Sequence, residues 1–183
     1  DLSGYKALVC VFLSGGIDSF NMLTPYEDQE HADYTSIRTN LAIPKAQLLM
    51  IRDRNQRRFG VHPGMAELKT LYDNNRVAFV ANLGSLVVPT TKANLNTVAK
   101  PLGLYSHADL VRHWQTSVPQ SRSQVTGWAG RMADMVTDTV NSNPNIAMNI
   151  SLGGLNIFET GQRVTPYVIG TGGATTLSGY SKT

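Results

Sequence analysis

The chain has a single cysteine, Cys10, in 183 residues. One thiol excludes an internal disulfide, a CxxC pair and a Cys/His zinc spacing. Long apolar runs are missing too. The longest, residues 7–13, falls far short of the ~18 residues that read as a membrane-spanning helix. Charged residues make up only 16%, and the formal excess is +3. So small and scattered an excess gives no ground for a nucleic-acid partner. The chain opens on Asp1 rather than Met, with no basic stretch leading into an apolar signal core. The expectation is a targeting segment that was removed or that lies upstream. What is present, at 42% hydrophobic, is globular in composition and too apolar for a disordered chain.

Residues 6–13 are apolar at nearly every position, which predicts a strand buried on both faces in a parallel, helix-covered sheet. Such burial makes Cys10 inert. Residues 26–60 are polar and mixed, with Arg52, Asp53, Arg54, Arg57 and Arg58 close together, and read as a solvated loop, with an anion site as the alternative. His62 precedes Pro63, which a first helical turn tolerates. Met65, Leu68, Leu71 and Tyr72 follow at helical spacing and predict an amphipathic helix over 64–74. A second buried strand is expected over 77–83, so that strand, helix and strand make a right-handed parallel unit. Residues 84–105 form a long connection. Helices are expected over 107–116 and 127–140, the latter with Trp128, Met132, Met135 and Val136 on one face. Residues 146–152 and 167–169 read as strands, and residues 170–183, rich in Gly, Ser and Thr, carry no element. A parallel sheet needs both faces covered, and these elements do not close one. The expectation is therefore the N-terminal part of a single domain over 1–183, continuing past Thr183, with the remainder of the chain as its partner and an uncovered sheet edge where that is missing.

Two places carry candidate chemistry. After the first strand comes Ser14, Gly15, Gly16, Ile17, Asp18 and Ser19. The pattern matches the SGGxDS pyrophosphate loop of ATP pyrophosphatases, in which glycines let backbone N–H groups approach phosphate and a following helix adds its positive end. Pro25 leaves little room for that helix. The competing reading makes Asp18 an oxygen ligand for zinc, manganese, calcium or magnesium at the carboxyl edge of the sheet. The structural alternative is an Asp that bonds its own turn.

The second place is Ser106, His107, Ala108 and Asp109 at the head of the 107–116 helix. Ser106 and Asp109 have the spacing of a capping box, with a cap worth about 1 kcal/mol. The same position suits a nucleophile, because free backbone N–H groups and the helix dipole favour an alkoxide and a bound anion. His107 is a candidate base or metal ligand, or else a surface histidine. Thr90 and Thr91, with Lys92 beside them, are the alternative nucleophiles. His113, Trp114 and Gln115 read as packing and helix surface.

Three blocks in order carry a resemblance. The first runs from Lys6, Ala7, Leu8 and Val9 through Gly15, Gly16, Ile17, Asp18, Ser19, Phe20 and Asn21. The second comprises Phe59, Gly60, Val61, His62 and Pro63, then residues 68–72, then residues 77–84. The third comprises Tyr105, Ser106 and His107, then Trp114, Gln115 and Thr116, then Gly127, Trp128, Ala129, Gly130 and Arg131. Together they resemble the bacterial family called domain of unknown function 1501, whose members are exported by the twin-arginine route and belong to the alkaline phosphatase/sulfatase-like superfamily. The resemblance implies a three-layer α/β/α sandwich, a periplasmic or extracellular location, and a divalent metal with Asp18 as one ligand. It also implies Ser106 as nucleophile, Asn21 or His107 as orienting groups, and a small anionic ester as substrate. Hydrolysis of phosphate or sulfate esters is the activity it suggests. A non-catalytic exported binding or assembly protein on the same scaffold is the alternative, with the ATP pyrophosphatase reading behind both. Fold membership alone does not establish catalysis.

Overall fold

A computed structural model describes residues 4–143 and 145–174. The chain is mixed α/β, with small sheets and four α-helices. It divides into two compact units, residues 13–83 and residues 84–183 together with 1–12. No described helix is long and apolar enough to cross a membrane.

The 13–83 unit is built on a three-stranded antiparallel sheet in the order β1-β3-β2, with β1 Leu23–Pro25, β2 Leu49–Arg52 and β3 Arg58–Val61. Helix α1, Asp28–Arg38, follows β1, and α2, Ala66–Asp73, follows β3. The polar stretch expected as a loop over 26–60 thus holds a helix and a hairpin. Side chains supply the turn: Asp53 Oδ1 accepts from the backbone N–H groups of Asn55 at 2.8 Å and Arg57 at 2.9 Å, a local bond that Asp makes well. The core is small and centres on Thr24, Tyr34, Leu48, Ile51 and Val61, all buried. Gly60 admits no side chain, because a Cβ there would lie 2.7 Å from Leu48 Cδ1 and 2.9 Å from Thr24 Oγ1. Tyr34 ties the unit together. Its hydroxyl donates to Asn21 Oδ1 at 2.7 Å and accepts from the Ile43 N–H at 2.8 Å.

The other unit rests on α3, His107–Thr116, and α4, Trp128–Val140, both close to the expected bounds. A helix leaves its last carbonyls without intrahelical donors, and α4 supplies them to α3. Trp128 Nε1 donates to Trp114 O at 3.0 Å, and Arg131 Nη2 donates to Thr116 O at 2.8 Å. Trp114, Trp128 and Phe158 make an aromatic cluster with centroids 4.7–5.7 Å apart, and Phe12 stacks on Trp114 at 4.9 Å. Edge-to-face and tilted pairs of this kind add to apolar burial. The second sheet is small: β4, Ile150–Ser151, runs parallel to β5, Tyr167–Gly170, which pairs antiparallel with β6, Gly173–Ala174.

Three expectations are overturned. Residues 6–13 and 77–83 form no strand, and neither segment belongs to a ladder among the described residues. The parallel unit expected from them is absent there. Most of their side chains stand in solvent, with Val9 80% and Val80 76% exposed, although Phe12 meets Trp114 and Phe79 meets Tyr72. An apolar run becomes a central strand only when neighbours pair both its edges. Cys10 is accordingly exposed rather than buried. Its thiol is nonetheless raised, first by the partial burial of the sulfur and then by the Glu159 carboxylate, which lowers the thiolate fraction. Finally, α4 packs through Gly130 and Ala133, while Met132 and Met135 of its expected apolar face are exposed. Small residues let the helix backbone approach the 157–161 segment closely, and that contact outweighs side-chain hydrophobicity in choosing the face. Of residues 170–183, expected to carry no element, Gly170 ends β5 and Gly173–Ala174 forms β6, while residues 175–183 lie outside the described residues.

Candidate functional site

Ser106 sits at the N-cap of α3 in extended conformation, φ −85° and ψ 116°, and its Oγ accepts from the Asp109 backbone N–H at 3.3 Å. The cap is therefore made. The reciprocal half of a capping box is not, because the Ser106 N–H goes to Gly103 O at 2.9 Å. The Asp109 carboxylate instead takes Arg122 in a two-point pair, Nε–Oδ1 at 2.9 Å and Nη2–Oδ2 at 3.0 Å. The Arg122 guanidinium, against a desolvation that acts the other way, holds the Asp109 carboxyl below the usual carboxylate range, with a smaller contribution from the Ser106 hydroxyl. The turn before α3 is tight. Gly103 has φ +58°, and a Cβ on it would lie 2.0 Å from Asp109 Oδ2. Only glycine combines that φ with that approach.

Ser106 is thus half-buried and carries the helix N-terminus behind it. His107, the next residue, is exposed and makes no hydrogen bond to Ser106 among the described residues. The hydroxyl has a dipole and a neighbouring carboxylate but no base in contact. In unliganded enzymes catalytic hydrogen bonds are often long or misaligned, so the missing contact does not by itself rule His107 out. Two turns along α3, His113 is 1% exposed, and neither ring nitrogen has a hydrogen-bond partner among the described residues. The sequence reading took His113 for packing. Its i, i+4 spacing from Asp109 is the only sequence signal that singles it out.

Thr90 and Thr91 lie on the long connection in a local turn. Thr90 Oγ1 donates to Val88 O at 2.9 Å, and Asn94 Oδ1 accepts from the Thr91 N–H at 2.7 Å. Neither hydroxyl stands at a helix N-terminus.

Asp18 belongs to the 13–83 unit and Ser106 to the other. Asp18 follows the glycine turn, where Gly15 and Gly16 adopt φ +89° and +97°. The carboxylate is ion-paired to Arg38 at the end of α1. Asn21 is engaged at both ends of its amide: its Nδ2 donates to Leu41 O at 3.0 Å while its Oδ1 accepts from Tyr34. Asp18 therefore brings one metal donor, already shared with a guanidinium. No group of three or more His, Cys, Asp or Glu able to hold a metal ion occurs among the described residues. The donors present here do not fit a divalent ion. After Asp18 come a single 3-10 turn, Ser19–Asn21, and then β1. The α-helix that an SGGxDS loop uses to hold pyrophosphate is not formed at that point. Two clefts lie elsewhere, one of about 390 Å³ beside Arg52, Lys69 and Tyr72, the other of about 410 Å³ beside Asp138, Asn141 and Arg163.

No protein-family profile, no curated protein and no solved structure matches the chain.

Proposed function

We propose that this chain is part of an exported bacterial protein of the alkaline phosphatase/sulfatase-like superfamily that hydrolyses phosphate or sulfate esters, with Ser106 as the attacking group. The observation that carries the reading is the position of the Ser106 hydroxyl at the N-terminus of the ten-residue helix α3. There the unpaired N–H groups and the dipole favour both the alkoxide and the anionic group it attacks. In this reading Ser106 Oγ forms a bond to phosphorus or sulfur while the ester oxygen leaves. His107 takes the hydroxyl proton, and water then cleaves the covalent intermediate. The finer architecture, a three-layer α/β/α sandwich, rests on the sequence resemblance alone. A divalent metal belongs to the same resemblance, but it would need donors beyond those that the described residues place at Asp18.

The test separates the two roles of Ser106. Ser106→Ala removes cap and nucleophile, whereas Ser106→Asn keeps a good cap and removes only the nucleophile. The expected outcome is loss of ester turnover in both variants, with a stability loss of about 1 kcal/mol in the alanine variant alone. Turnover retained by Ser106→Asn removes Ser106 from the mechanism.

A second reading, a non-catalytic exported binding or assembly protein on the same scaffold, is favoured by one observation: Ser106 has no base in contact among the described residues. It expects no turnover of a broad phosphate and sulfate ester panel by the wild-type protein. Any turnover that Ser106→Asn abolishes rules this reading out.

A further inference from the structure

Arg38 has a surplus of donors. A guanidinium carries five N–H groups in a planar fork, and here Nη2 goes to the Asp18 carboxylate. The Nε–H is buried and has no acceptor among the described residues. The cation lies 5.9 Å from the centroid of the Phe20 ring, whose face helps hold it in place. Its side chain is 22% exposed, that of Asp18 41%. A buried donor without an acceptor is a costly arrangement that native proteins rarely keep. The carboxylate beside it is held only by a partly exposed ion pair, and such pairs are weak.

A tetrahedral oxyanion brings more acceptor oxygens to a guanidinium than the Asp18 carboxylate does. Phosphate and sulfate groups offer several acceptor oxygens and match the guanidinium fork in two-point contacts. We propose that Arg38 is a receptor for the phosphate or sulfate group, free or esterified, and that Asp18 is an internal carboxylate occupying it until such an anion takes its place. Asp18 then acts as a displaceable counter-ion, which agrees with its poor fit to a metal. Asn21 and Tyr34 play no part in binding the anion. Their bonds to Leu41 and Ile43 brace the segments on either side of Arg38. The proposal concerns binding alone, so it stands or falls independently of attack by Ser106.

The experiment is titration calorimetry of the whole chain at pH 7 and low ionic strength, with inorganic phosphate and phenyl phosphate as separate probes. Wild type, Asp18→Asn, Arg38→Lys and Arg38→Gln are compared, with circular dichroism confirming the fold of each. Removing the competing carboxylate is expected to tighten phosphate binding about two- to five-fold, the factor by which a partly exposed ion pair competes. Arg38→Gln is expected to weaken it at least tenfold. Arg38→Lys, which keeps the charge but loses the fork, falls between. Tighter binding of phenyl phosphate than of phosphate would identify the ester as the ligand; equal binding would identify the free anion. Phosphate binding no tighter in Asp18→Asn than in wild type overturns the proposal, as does binding unchanged in Arg38→Gln or absent from both wild type and Asp18→Asn.

Discussion

Replacing Gly130 by alanine tests how α4 is seated. Inside an isolated helix the change favours folding by about 1 kcal/mol, because alanine loses less chain entropy. The structure reverses that sign. A Cβ on Gly130 would lie 2.1 Å from the carbonyl carbon of Thr160, 2.2 Å from its oxygen and 2.3 Å from Gly161 N. All three are backbone atoms, so no rotamer change relieves the clash, and ordinary contact requires a shift of more than 1 Å. The 158–164 segment resists that shift. Gly127 N–H donates to Thr160 O at 2.9 Å and Gly130 N–H to Phe158 O at 3.0 Å. Asp134 accepts from the N–H groups of Gln162, Arg163 and Val164 at 2.6–3.0 Å. Overpacking of about 1–3 kcal/mol and two weakened hydrogen bonds at about 1 kcal/mol each outweigh the helix gain. The expected net loss is about 2–4 kcal/mol. Urea unfolding followed by fluorescence of Trp114 and Trp128, which report on this junction, measures it directly. A Gly130→Ala protein as stable as wild type, or more so, would refute the seating of α4 on Thr160, and with it the support that α4 lends to α3 and Ser106.

The Arg58 side chain and then its backbone N–H hold the Glu27 carboxyl at about 2, against an ordinary 4.5. A depressed carboxyl contributes stability that is complete above the unfolded value and is lost as pH falls through the folded one. Glu27 therefore stabilises fully above about pH 4.5 and progressively less toward pH 2, and Glu27→Gln should flatten the fall in urea midpoint across that window; an unchanged slope would contradict the pairing. Thr39 closes α1 at φ 51° and ψ −119°, a conformation that a β-branched residue resists and glycine accepts. Thr39→Gly should raise the urea midpoint, by up to about 1 kcal/mol after the entropy cost of glycine. A lowered midpoint would mean that Thr39 is not strained.

Several parts of the molecule were legible in the sequence because their causes are local. Pro63 and the 65–72 spacing place α2, Ser106 places the start of α3, and residues 127–140 form α4 within a residue of the expected bounds. Ser106 as a cap was legible for the same reason, since its partner Asp109 is three residues away. The 26–60 stretch was misread because, although its hairpin turn is local, the hairpin is held to the rest of the unit by distant partners. Arg58 meets Glu27 across 31 positions and Thr24 reaches Gly60 O across 36, and no window of ten residues contains both ends of such a bond. Arg38 carried no sequence signal at all, since its partner Asp18 lies 20 residues earlier.

By itself, the sequence determined where α2, α3 and α4 start and stop and which segments are apolar, because caps, prolines and periodicity act within one or two turns; the polar helix α1 carried no such signal. Tertiary structure alone decided which apolar segments gained neighbours. Residues 58–61 found strands on both sides, and Gly60 and Val61 were buried there, while residues 6–13, the more apolar run, found no strand and apart from Phe12 stayed largely in solvent. A strand is stabilised by hydrogen bonds and packing that other segments supply. Its burial is a property of the ladder it joins.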